Sequence, residues 1–163
     1  MTRLVLLIAV LAAGCQGGET TERFVGADDE GFSCDLPTGW TPARDRGSVV
    51  FTTPAQPRRT VVVRSIPRSE RGTDVAYLSA ADTVMNGLPD VEVASKRTLT
   101  GALGGAIYEL SFVPPGVGER FTRTHVVLLG EDHVFHVIET EPATAETRDD
   151  VVTRLIGSFR EEV

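Results

Sequence analysis

No apolar run in this chain of 163 residues is long enough to cross a bilayer as a helix, which takes about 20 residues. Lysine is nearly missing: of the sixteen basic residues only Lys96 is not arginine, a bias that reads as codon usage and not as chemistry. A basic excess is missing too. The formal net charge of −7 argues against nucleic acid as a partner, because binding the phosphate backbone calls for the opposite sign. Low-complexity blocks are absent, and 41% of the residues are hydrophobic, so the chain has enough apolar material for one real core and is not a disordered tail. Catalytic signatures are absent as well. Ser158 in Gly157-Ser158-Phe159 has no G-x-S-x-G elbow, and Gly101, Gly104 and Gly105 neither follow G-x-G-x-x-G nor open onto a helix. No nucleophile, base and orienting group can be argued together.

What is present begins at Gly31–Trp40, GFSCDLPTGW. Phe32, Cys34 and Leu36 alternate with Ser33 and Asp35, which predicts a short strand with one apolar face. Pro37 cannot donate to a ladder and Gly39 permits a tight turn, so the strand stops there. Trp40, the single tryptophan, is expected to be largely buried beneath the sheet.

Ahead of that stretch lies an address. Arg3 is followed by ten apolar residues, Leu4–Ala13, and then by Gly14-Cys15. The order of short charge, short apolar core, small residues and cysteine resembles the bacterial lipoprotein signal, with Ala12 standing where leucine is commonest. The resemblance implies a signal peptide over 1–14 and a lipidated Cys15 as mature N-terminus. Two or more acyl chains there would anchor the protein stably to a membrane. Gln16, and not an aspartate, follows the cysteine, which favours the outer membrane in a Gram-negative cell. Residues 15–30 are polar and glycine-bearing and are expected to be a tether. The folded domain is expected over 31–163. Cys34 is then a lone thiol on an apolar strand face, and a small buried hydrophobe is the favoured reading over a reactive group.

Val49–Thr53 and Thr60–Ile66 are β-branched and bounded by prolines, so they predict two strands around a hairpin loop. Val75, Leu78, Ala81 and Met85 carry helical spacing, with Thr73 or Asp74 as N-cap and Asn86-Gly87 as the stop. Strands follow over 91–99 and 106–113 around a glycine-rich turn. A tight hairpin over 120–129 and 133–141 comes next, around Gly130-Glu131-Asp132. Val151, Val152, Leu155, Ile156 and Phe159 form a last apolar helical stripe, capped by Thr144 or Thr147. Short loops favour antiparallel pairing.

FSCDLPTGW, the VVVRSIP strand, the TLTGALGGAIYEL strand–turn–strand and the closing ETEP…LIGSFR together resemble the PsbP-like superfamily over Gly31–Arg160. The resemblance implies an α+β fold with a central antiparallel sheet of six or seven strands flanked by helices. It also implies accessory or partner-binding work without catalysis or cofactor.

Two clusters invite chemistry. His133 and His136 are three apart on a strand and point to opposite faces, while His125 falls opposite Val137 or Ile138, so a shared metal is not expected. Between Arg44 and Arg71, seven arginines face only Asp45 and Glu70. This is either a solvated basic edge or a docking surface for an acidic protein or an anionic envelope component, with Arg58, Arg59, Arg64, Arg68 and Arg71 as its contacts and Arg58–Arg59 at an exposed tip. The functional readings, in order, are a lipid-anchored accessory protein of the bacterial cell envelope, a lipoprotein binding a small ligand or a metal, and a hydrolase.

Overall fold

A computed structural model describes residues 20–53, 59–69, 72–144 and 151–162. The expected signal peptide, Cys15, Arg58, Arg71 and the Thr147 cap lie outside the described residues. The elements run β1 (Thr21–Val25), β2 (Phe32–Pro37), β3 (Thr41–Asp45), β4 (Ser48–Thr52), β5 (Thr60–Pro67) and α1 (Asp74–Asn86). They continue with β6 (Glu92–Leu99), β7 (Gly104–Phe112), β8 (Phe121–Leu129), β9 (His133–Pro142), α2 (Val151–Ser158) and β10 (Arg160–Glu161). Seven strands form one antiparallel sheet in the order β3-β4-β5-β9-β8-β7-β6, and three more form a small sheet, β1-β2-β10. Among the described residues, no helix is long and apolar enough to cross a membrane.

Alternation along the large sheet gives it two apolar faces. The inner face presents Val49, Phe51, Val61, Val63, Val126, Leu128, Phe135 and Val137 to α2 and to β2, and Phe32 stacks on Phe159 at 5.0 Å between them. The outer face presents Ala106, Tyr108, Leu110, Phe112, Val127 and Val134 to Ala81 and Met85 of α1. Thr73 caps α1 by accepting from the Ala76 N–H at 3.2 Å, as its position before Asp74 predicts. Val75 does not share the buried stripe; it is 78% exposed, because α1 turns only Ala81 and Met85 fully onto the sheet.

Three short strands depart from the sequence reading. Thr21–Val25, assigned to the tether, pairs with Ser33–Pro37 of β2, and Phe24 packs edge-on against Phe51 at 4.9 Å. Thr41–Asp45 forms the exposed edge of the large sheet, and Arg160–Glu161 closes the other side of β2. β2 therefore does not open the large sheet; it is the middle strand of a second layer, which explains why Ser33 is as buried as Phe32. Trp40 is half-buried against the inner core, not enclosed, because it sits at the turn into an edge strand.

Candidate functional site

The arginines of the expected basic edge do not form one surface. Arg44 sits opposite Val49 and binds Glu30 at 2.6 Å, on the inner side. Arg59 is no exposed tip: its side chain is 18% exposed and lies 2.7 Å from Glu139, itself on the inner face two residues from Val137. Arg68 reaches Asp74 at 2.7 Å and the Gly130 carbonyl at 2.6 Å, tying β5 to the start of α1 and the β8–β9 turn. Arg46 is solvated at the β3–β4 turn. Of the described arginines of this edge, Arg64 alone points from the outer face beside α1, and no carboxylate among the described residues pairs with it.

The outer face holds the arrangement that gives Arg64 its setting. Register rows run Arg64↔His136↔Val127 and Val62↔Ile138↔His125↔Tyr108, so His125 and His136 are diagonal neighbours on one face. His125 Nε2 lies 2.8 Å from His136 Nδ1, with the rings 75° apart. Arg123, two residues before His125, donates Nε–H to Thr140 Oγ1 at 3.0 Å and lies 4.6 Å over the Phe112 ring, again with no carboxylate partner among the described residues. Arg64, His136, His125 and Arg123 thus form a diagonal of nitrogen-bearing side chains across β5, β9 and β8.

Burial, the His136 ring and Arg123 push the His125 pKa down to about 3; burial and then Arg64 lower that of His136. Both rings are neutral at neutral pH, one donating to the other, and the buried Nδ1 of His125 has no partner. On the far side of His125, Tyr108 stands edge-on at 6.4 Å and donates to Asp82 of α1 at 2.9 Å, and Asp82 also takes Lys96 at 2.6 Å. That triad fastens α1 to β6 and β7 and uses its own charge. Along the Arg64 row, Ser48 intervenes before Asp45 on the edge strand, roughly 10 Å away at two strand spacings.

His133 and His136 do point to opposite faces, as strand alternation predicts; His133 packs on the inner side, with Nδ1 3.4 Å from Glu161. The His125–His136 pair escaped the sequence reading, although the register opposite Ile138 is among those foreseen. Diagonal neighbours two positions off that register were the available signal. Among the described residues no three His, Cys, Asp or Glu side chains gather as a metal site, and arginines at both ends of the histidine pair oppose a cation. Cys34 is fully buried and its thiol is pushed up to about 12 by burial, so it is an inert hydrophobe. Ser158 Oγ donates to the Leu155 carbonyl and accepts the Asp35 N–H, a tie between α2 and β2. A hollow of about 350 Å³ between the β6–β7 turn and α2 is lined by Leu99, Leu103, Leu128, Ile156 and Phe159.

No family model and no curated protein matches the chain by sequence. Solved structures do match. The solution structure of the cyanobacterial PsbP protein (CyanoP) from Synechocystis superimposes with a TM-score of 0.58 at 16% identity, over 93% of this chain and 98% of that one. The fold is PsbP-like. LpqN of Mycobacterium tuberculosis, described as involved in cell envelope biogenesis, aligns with a TM-score of 0.61 at 17% identity, over 88% of this chain and 92% of its own. A Bacteroides thetaiotaomicron crystal structure gives a TM-score of 0.64 at 14% identity over 86% of this chain, which spans about half (48%) of that longer one. Identities this low speak to fold alone.

Proposed function

We propose that this protein is a lipid-anchored accessory protein of the bacterial cell envelope that works by binding a protein partner and performs no catalysis. The observation that carries the reading is the pairing of a lipoprotein-type leader with a PsbP-like domain that also matches LpqN along most of both chains. The side chains support the non-catalytic part. Cys34 is buried and protonated, Ser158 serves as a structural tie, and the two outer histidines hydrogen-bond each other beside arginines and not beside a nucleophile. Of the arginines expected to dock a partner, Arg58 and Arg71 lie outside the described residues, Arg59 and Arg68 are engaged by acids of the same chain, and Arg64 is exposed.

Lipidation at Cys15 is the first thing to test. Cys15→Ser should move the protein from the membrane fraction to the soluble one and remove an acyl mass from its N-terminal peptide. Equal partition of both forms, with no acyl mass on either, would refute the anchor.

A further inference from the structure

We propose that the outer sheet face beside α1, where Arg64 and the half-buried His136 and Arg123 reach the surface over the buried His125, is the docking surface for an acidic, extended segment of a partner protein, and that docking takes up a proton. The inference rests on the accessory reading above and deepens it.

Charge complementarity selects the occupant. Arg23, Arg44, Arg59, Arg68, Arg97 and Arg120 each face a carboxylate within 4.0 Å; Arg64, Arg123 and Arg160 face none among the described residues, and of these Arg64 and Arg123 share one sheet face while Arg160 turns to the Phe159 carbonyl on the small sheet. Between Arg64 and Arg123 the sheet offers half-buried Val62 and Ile138 beside Thr60 and Thr140, a run of apolar and hydroxyl side chains that an extended chain can lie along. An anionic membrane surface is the competing source of negative charge, and the vesicle arm of the test separates the two.

The histidines supply the proton linkage. The groups facing them are Arg64 from β5, Arg123 on β8, Tyr108 from β7 and, behind Tyr108, Asp82 of α1 with Lys96 of β6. Without a ligand, burial and the two arginines keep both rings neutral. A carboxylate set against Arg64 and His136 offsets that repulsion and favours the imidazolium, so the bound state holds more protons than the free state. Affinity must then rise as pH falls.

The test is calorimetric titration of the full chain, purified in non-ionic detergent, with a hexaglutamate peptide at pH 7.5 and 5.5. Hexaglutamate should bind about tenfold more tightly at pH 5.5 and take up a proton, read from buffers of different ionisation heat. Arg64→Ala should weaken binding about tenfold at both pH values, and His136→Gln should remove the pH dependence while leaving binding at pH 7.5. Absence of binding at both pH values, or binding that Arg64→Ala leaves unchanged, would overturn the proposal. So would inorganic phosphate or phosphatidylglycerol vesicles displacing the peptide with the same Arg64 dependence. The envelope reading fails separately: it stands or falls on Cys15→Ser fractionation, which does not involve this face.

Discussion

His125 is 4% exposed, and its neighbours hold its pKa at about 3, against 6.5 for a solvated imidazole. Between those values the unfolded chain binds a proton that the folded chain refuses. The stability is fully present above pH 6.5 and is lost as pH falls, by at most about 1.4 kcal/mol per unit, until about pH 3. Urea midpoints measured from pH 7 to pH 4 should therefore fall less steeply in His125→Leu than in the wild type. Parallel curves would show that the imidazole titrates freely. Gly105 makes a different demand. It takes φ +147° opposite Leu128, and a Cβ there would be driven into the carbonyl oxygen of Val127. Backbone of a central ladder cannot swing aside as a side chain does. Gly105→Ala should lower stability by about 2–4 kcal/mol, seen as a lower denaturant midpoint at unchanged slope. The same substitution at Gly101, where a Cβ meets nothing within 4 Å, should be near neutral.

At the scale of elements, β1 is the strand whose status matters most, since a tether would let the domain float free of its anchor and a docked strand shortens the leash. Its residues read polar and aperiodic, and Arg23, Phe24 and their partners hold it. Arg23 donates to Asp35 at 3.0 Å and to Ser33 Oγ, which in turn donates to Glu162, so β1, β2 and the C-terminal segment are tied through one buried hydroxyl. Phe24 adds ring contacts to Phe32 at 5.6 Å and Phe51 at 4.9 Å. Phe24→Ala should cost about 1–3 kcal/mol, less than a fully enclosed phenylalanine because the residue is only partly buried. An unchanged midpoint would return 20–30 to the tether. The C-terminal element is latched likewise. Glu161 accepts the N–H groups of Asp132 and His133 at 2.9 and 2.7 Å as well as that of Glu131, which fixes the β8–β9 turn.

Across the whole molecule, one layer of helix and small sheet covers the inner face, while α1 covers only part of the outer face. Among the described residues, Arg64 and the half-buried His136 stand on the part α1 leaves, with His125 buried beneath them. Much of this frame was legible along the chain: α1 with its Thr73 cap, the β6–β7 turn, the β8–β9 hairpin around Gly130-Glu131-Asp132, the opposite faces of His133 and His136, and the antiparallel sheet itself. Those features depend on capping, turn chemistry and apolar period, all carried by residues within one element or its nearest turn. Only the tertiary structure decided the rest. TERFV and TPARD have no strand period and became strands because β2 and β4 offered unpaired backbone groups to pair with. Arg59 lost its exposure to Glu139, eighty residues away in the chain, and Arg64 kept its own because no carboxylate among the described residues was brought beside it. Two histidines eleven residues apart meet because β8 and β9 pair in the register that leaves them diagonal, at 2.8 Å. Charge along a sequence counts residues; which charges remain for a partner depends on which ones the fold has already paired.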